Sequence, residues 1–240
     1  MFFVLSGERE KGMRKNIWIL LLFVTGLSIF LYPHIAQEVN TKIHQVEAEQ
    51  FKEWTKELPK QMIDKTMETA KQCNESIFSN EGNFQDPFTA EYQQSRYRDC
   101  EAVVIEGDSF ATIEIPKLNL EIPIYLGATE NELSRGIGQV DGSSLPIGGE
   151  STHTVLAGHR GMGTKAMFRN LDRLSENDRF YIHTISGTLQ YRVYDVGVIL
   201  PHETESLRIF EGKDLASLIT CHPYRHNSHR LVVYGERVYE

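Results

Sequence analysis

The chain has 240 residues, 40% of them hydrophobic and 24% charged, which suits one globular domain with additions. Its formal charge is −8; the first sixteen residues hold four of the 25 basic side chains and two of the 33 acidic ones, so the rest carries −10. A body this acidic argues against a nucleic-acid partner, because backbone binding needs a positive face that releases counterions.

In chain order, residues 1–16, with Arg9, Lys11, Arg14 and Lys15, read as a basic cytoplasmic segment. Ile17–Tyr32 (IWILLLFVTGLSIFLY) is an uninterrupted apolar run, and residues 17–33 are expected to form a transmembrane anchor. About 16–20 residues can cross a bilayer when the flanking side chains snorkel. The basic flank keeps the N-terminus cytoplasmic, so the expected protein is single-pass, with everything after Pro33 on the extracytoplasmic face. A cleaved signal peptide is the rival reading, but Tyr32-Pro33-His34 makes a poor cleavage site and favours an uncleaved anchor.

Residues 34–75 carry Ile43, Val46, Phe51, Trp54, Leu58, Met62 and Ile63 at helical spacings, with Pro59 placed to divide two helices. Residues 76–109 are expected to be loop, since Ser76–Asp99 is rich in Asn, Gly, Asp, Pro, Gln and Ser. From Phe110 the pattern turns to short strands: Ala111–Pro116, Ile122–Tyr125, Thr152–Ala157, Arg179–His183, Leu189–Val198, Leu218–Cys221 and Arg230–Tyr234. Short helical pieces fit Glu130–Arg135, Lys165–Leu174 and Lys213–Ser217. Strands at this spacing, with few long helices, indicate a closed or nearly closed β-barrel over residues 110–240.

Three residues in this barrel invite chemistry. Cys221 ends the apolar run Leu218-Ile219-Thr220-Cys221, and Pro223 forces the chain out of the strand, so the thiol should sit at the barrel rim on a rigid base. A buried small hydrophobe is the bland alternative for that cysteine. His159 follows the strand Thr152–Ala157 between glycines and can exchange protons near neutrality, although a histidine at a strand end is also often structural. Arg230 heads an apolar strand, a costly position unless its guanidinium meets an anion, or else snorkels to the surface. The inference rests on all three converging.

These segments resemble the sortase family. Ser217-Leu-Ile-Thr-Cys221 resembles its nucleophile motif, Asn227-Ser-His-Arg230-Leu-Val-Val its arginine strand, and Thr152-His-Thr-Val-Leu-Ala-Gly-His159-Arg-Gly its histidine segment. The likeness runs from about Phe110 to the end, and upstream Asp86-Pro87-Phe88 is similar to the lid of class C sortases, the pilin polymerases. The resemblance implies a mostly β fold: a closed eight-stranded sortase-type barrel with short helices, preceded by the helical extension and lid loop. It implies a membrane-anchored cysteine transpeptidase that cleaves a Leu-Pro-x-Thr-Gly-like sorting signal through a Cys221 thioester. The acyl group would pass to a pilin lysine, with His159 and Arg230 as catalytic partners, pilin subunits as protein partners and a monomer as the working form. Class C members commonly carry a second, C-terminal transmembrane helix, which is not seen in this sequence; either the chain is truncated or it is held by its N-terminal helix only. His222 stands where a small residue often follows the cysteine.

By this reading Asp86 pairs with Arg230 while Phe88 covers the Cys221 sulfur, and the polar lid opens at the modest cost of an exposed ion pair, about 0–1 kcal/mol. An Asx-Pro turn with a packed phenylalanine is the plainer alternative. Cys73 and Cys100 flank the lid and could form a disulfide. Rival readings are a housekeeping-type cell-wall-anchoring sortase, a simple thiol hydrolase, a surface-binding barrel, and a zinc module built on Cys221, His222, His226 and His229. The last lacks the usual ligand spacing. No cofactor motif is present; Glu101, Glu106 and Asp108 could meet calcium, but their spacing does not demand it.

Overall fold

Alternating β-branched and polar residues from Ala111 onward build strands whose apolar sides face one another around a closed circuit. The computed structural model describes residues 5–80, 84–94, 100, 103 and 109–239, with side chains from Arg14 onward. Eight strands form the barrel: β1 (Ala111–Ile115), β2 (Leu120–Leu126), β3 (Ile137–Gln139), β4 (Thr152–Ala157), β5 (Arg179–Thr184), β6 (Gly187–Ile199), β7 (Asp214–His222) and β8 (His229–Val238). They close in the order β1-β2-β3-β4-β7-β8-β6-β5. β2/β3 and β4/β7 pair in parallel, the remaining neighbours antiparallel. Ile113, Ile122, Phe180, Tyr191, Leu218 and Val233 fill the interior and are at most 1% exposed.

A second apolar cluster lies outside the barrel, over β4, β7 and β8. Val155, Ala157, Ile219 and Val232 belong to it, and it includes Tyr92 from the segment upstream of the barrel. The inner and outer sets follow from strand periodicity, since successive side chains point to opposite faces.

Several local expectations are corrected. The helical piece expected at Lys213–Ser217 is instead strand from Asp214, because β7 is paired on both sides, Ala216 opposite Thr154 on β4 and Gly235 on β8. Two ladders of hydrogen bonds outweigh a weak helical propensity. Lys165–Leu174 holds turns and a single 3-10 turn at Leu171–Arg173, with Phe168 and Leu171 inserted into the core. β3 went unread because it is only three residues long and has glycine at its centre. A Cβ on Gly138 would stand 2.6 Å from the Gly127 carbonyl oxygen, so close packing of backbones requires glycine there.

Two long helices open the described chain, α1 (Leu5–Glu57) and α2 (Lys60–Ser79), parted at Leu58-Pro59 where the proline was expected to divide them. α1 runs through Pro33 without ending. Among the described residues it is the one helix long and apolar enough to cross a membrane. Beyond the apolar run, His44, Ala48 and Phe51 are buried on one stripe, and Lys52 pairs with Glu121 of β2 at 2.5 Å. α2 continues to Ser79, past the expected start of the loop at 76, and a short helix α3 (Ala90–Gln94) follows the lid tripeptide. Its start is fixed locally, since the Thr89 hydroxyl accepts the Tyr92 amide at 3.3 Å. A disulfide joins Cys73 in α2 to Cys100, with Cα atoms 5.6 Å apart. Glu101, Glu106 and Asp108 lie outside the described residues.

Candidate active site

Cys221 and Arg230 are direct cross-strand partners in the antiparallel β7/β8 pair. They share the outward face with Ile219 and Val232, whereas Leu218, Leu231 and Val233 point into the barrel. The thiol therefore stands on the outer wall near the strand end rather than on the rim, because alternation commits the interior to the larger aliphatic side chains. Cys221 is 8% exposed and Arg230 5%, values low enough that neither is open to solvent.

The cover is the segment before α3. Asp86 accepts two hydrogen bonds from Arg230, from Nε to Oδ1 at 2.8 Å and from Nη2 to Oδ2 at 2.6 Å. Arg230 Nη1 donates to the Asn227 and His229 carbonyls, both at 2.9 Å. A guanidinium has five N–H donors, so this one is almost fully occupied. The Phe88 ring lies against both groups beside it, with its centroid 5.2 Å from the Arg230 guanidinium carbon and 6.3 Å from the His159 ring. The lid pair is not an exposed one, contrary to the sequence reading: the Arg230 and Asp86 side chains are 6% and 3% exposed. A buried charge is costly to strand, so the lid is held more firmly than a surface loop.

α3 latches the lid at its far side. The Tyr92 hydroxyl donates to Asp141 Oδ2 at 3.0 Å and accepts the amides of Ala128 at 3.2 Å and Asp141 at 3.1 Å. Burial beside Asp141 raises the Tyr92 pKa well above the ordinary range, so the phenol stays a donor. Gln93 donates to the Pro87 and Ala128 carbonyls at 2.7 and 3.1 Å, and accepts the Glu130 amide at 2.6 Å. That last contact ties the lid to the start of α4 (Glu130–Leu133), whose Glu130 carboxylate is 3.2 Å from His159 Nε2. The imidazole contact lacks hydrogen-bond alignment, and Nε2 is otherwise buried without a partner.

His159 follows β4 at the turn opened by Gly158, where a Cβ would stand 2.6 Å from Ile137 and 2.8 Å from Phe168. The next residue, Arg160, was not singled out from sequence. It is 8% exposed and reaches back to β7, with Nη1 2.8 Å from His222 Nδ1 and 3.5 Å from the Cys221 carbonyl, and Nη2 3.1 Å from Asp172. The one available signal was a charged side chain beside the histidine in an otherwise glycine-rich turn. Burial, then the charges of Arg160 and His229, lowers the His222 pKa, consistent with a neutral ring accepting from Arg160.

Electrostatics at Cys221 are divided. Burial is the largest influence and pushes the thiol pKa up; the Asp86 carboxylate adds to it, while Arg230 and Arg160 oppose. Farther along β4 and β7 from Cys221, His153 is wholly buried, with Nδ1 2.7 Å from the Arg208 carbonyl and Nε2 2.8 Å from the Ser217 hydroxyl. Burial lowers its pKa to about 4, so it is a neutral strut.

Lid and barrel thus meet at Asp86, Phe88, His159 and Arg230, with Cys221 opposite Arg230; Pro87 is buried between the two lid side chains. Cys221, His222, His226 and His229 are not gathered as a ligand set. Among the described residues the group with ligand atoms within 4.8 Å of one another is Glu114, Glu121 and His183, beneath α1.

A sortase-domain family model matches residues 113–238. The chain is similar to the solved structure of Sortase C1 of GBS Pilus Island 1, with 38% identity over 82% of this chain and 93% of that one, and a TM-score of 0.74. It is also similar to sortase C-1 from Streptococcus pneumoniae, with 34% identity over 80% of this chain and 98% of that one, and a TM-score of 0.76. Curated relatives include Sortase D of Bacillus subtilis, 28% identical over 55% of this chain, and Sortase A of Bacillus anthracis, 31% identical over 52%. The chain spans 65% and 58% of the lengths of those two relatives.

Proposed function

Because the chain belongs to the sortase family, we propose that it is a cysteine transpeptidase, held at the cell membrane by the apolar part of α1, that joins pilin subunits. Cys221 is the nucleophile, His159 the proton carrier and Arg230 the oxyanion donor. The observation that carries this reading is the guanidinium of Arg230 placed across from Cys221 and capped by the Asp86 carboxylate. The cap occupies the donors that a reacting carbonyl oxygen would need.

Lid departure then does two things together. It frees Nε and Nη2 of Arg230, and it removes from Cys221 both a desolvating cover and the one nearby carboxylate that disfavours the thiolate. The thiolate attacks the Thr carbonyl of a Leu-Pro-x-Thr-Gly-like signal, and the oxygen's developing charge falls on the Arg230 donors. As the C–N bond breaks, protonated His159 gives its proton to the departing glycine amine, leaving a thioester on Cys221. An incoming lysine amine attacks that thioester, His159 takes its proton, and the C–S bond breaks to restore the thiolate.

The pilin assignment draws on the lid and on the similarity to Sortase C1 of GBS Pilus Island 1 and to sortase C-1 of Streptococcus pneumoniae, which covers 82% and 80% of this chain and so extends beyond the barrel. The test is mass spectrometry of full-length protein incubated with a sorting-signal peptide, then with a lysine-bearing pilin peptide. An acyl adduct on Cys221 that converts to an isopeptide-linked product is expected. Conversion only to the free acid would favour the hydrolase reading, and no adduct on Cys221 would refute the mechanism.

A further inference from the structure

The rise of α1 sets the height at which the barrel stands over a bilayer. The apolar run ends at Tyr32, whose side chain is exposed, and contact with the barrel begins within the next turn and a half. The Gln37 amide donates to the Gly163 carbonyl at 3.0 Å, the Asn40 amide to the Thr164 carbonyl at 3.1 Å, and Arg169 Nη1 to Gln37 Oε1 at 2.8 Å. Two bonds from one helix face tie the loop to α1, and Arg169, whose Nη2 also donates to the Met162 carbonyl at 3.0 Å, adds a third link, so the loop moves with the helix.

The distances that follow are short. Gln37 is five residues beyond Tyr32, roughly 7.5 Å along a helix rising 1.5 Å per residue. Helical side chains lean toward the N-terminus, which here is the bilayer side, so the amide that holds Gly163 reaches down rather than up. Headgroups occupy about 5–8 Å on each side of the hydrocarbon core. Gly163 therefore stands at headgroup level, and a moderate tilt of the helix changes this little.

The loop is suited to that level. Gly161, Met162, Gly163 and Thr164 carry no charge, and Lys165 turns its ammonium inward to the Ser134 carbonyl at 2.6 Å. Gly163 is exposed, and a Cβ there would meet nothing within 4 Å. The loop starts two residues after His159.

We propose that the loop Gly161–Lys165 rests on the outer-leaflet phospholipid headgroup layer of the bilayer that holds α1, which fixes the His159 end of the cleft at the membrane surface. The proposal rests on the anchoring role given to α1 above. It adds a lipid contact made by the catalytic barrel itself.

Depth-dependent fluorescence quenching separates the two. In a Cys221→Ser background, full-length protein is labelled with an environment-sensitive fluorophore at Gly163→Cys, or at Thr164→Cys as a second position, and reconstituted in phosphatidylcholine/phosphatidylglycerol vesicles. Val24→Cys marks the bilayer interior, and Glu53→Cys, far along α1, marks bulk solvent. Reconstitution should blue-shift the label at residues 163 and 164, and nitroxides on the headgroups should strongly quench it there while leaving residue 53 unaffected; acyl-chain nitroxides should quench residue 24. Quenching at residue 24 with residues 163 and 164 as unaffected by the headgroup quencher as residue 53 would overturn the loop contact alone. An unquenched residue 24 would overturn the anchor and the loop contact together.

Discussion

Asp86 and Arg230, 144 residues apart in the chain, share two charge-assisted hydrogen bonds of 2.8 and 2.6 Å where both side chains are buried. Phe88, two residues on, touches the other side of that guanidinium and the ring of His159. One segment thus engages two of the three proposed catalytic groups.

Asp86→Ala should release the lid. Deleting one partner of a buried pair costs about 3–5 kcal/mol when the survivor stays buried. Here Arg230 regains water as Phe88 leaves, so a smaller loss of about 1–3 kcal/mol is expected. Thermal unfolding measures the loss, and hydrogen exchange over residues 86–93 should accelerate. Unchanged exchange there would show that the pair does not hold the lid.

The pH dependence of thiol reactivity should shift in the same variant. In the closed form burial, then Asp86, raises the Cys221 pKa, while Arg230 and Arg160 lower it. Opening removes both raising influences and keeps both lowering ones, so the pKa moves down. Alkylation rates of Cys221 measured against pH should reach half-maximum at lower pH in Asp86→Ala than in the wild type. An identical or higher midpoint contradicts the assignment.

His153 predicts an acid-labile fold. Its pKa falls from 6.5 unfolded to about 4 folded, chiefly by burial. The folded state then binds fewer protons, so this contribution is complete above about pH 6.5 and is lost as pH falls toward 4, at up to ~1.4 kcal/mol per pH unit. His44 and His222 are also lowered and add slope of the same sign. Stability measured by denaturant melts at several pH values should fall over that window, less steeply in His153→Gln. Equal slopes would mean that His153 titrates normally.

Arg160→Ala should slow catalysis without touching substrate directly, since Arg160 steadies the Cys221 carbonyl and the His222 ring from below. A drop in kcat of roughly 10-fold, about 1.4 kcal/mol, is expected, with KM little changed. The His222 pKa, followed by proton NMR, should rise because a neighbouring positive charge is gone. A static His222 pKa would refute the contact.

Much of this was readable from sequence where one rule governs. Alternation placed Arg230 on the face of Val232 and Tyr234, Pro59 divided the helices, and the apolar run marked the one spanning candidate among the described residues. The misreadings share a cause, since each depends on partners distant in sequence. Asp214–Ser217 is strand only because β4 and β8 flank it. The lid pair looked exposed because composition cannot tell that a carboxylate 144 residues away meets a guanidinium under a phenylalanine. Arg160 was overlooked because its partners, His222 and Asp172, lie on other segments. Cys221 was placed on the rim because a strand's end is visible in sequence, whereas the choice of inner or outer wall is made by the whole barrel.

The most direct measurement is the rate of acyl-adduct formation on Cys221 with a sorting-signal peptide, compared between wild type and Asp86→Ala. If a closed lid held by about 1–3 kcal/mol masks the donors of Arg230, the variant acylates roughly 5- to 150-fold faster, and Arg230→Ala abolishes the gain. Equal or slower acylation in Asp86→Ala, with the fold intact, would contradict an Arg230 that waits behind Asp86.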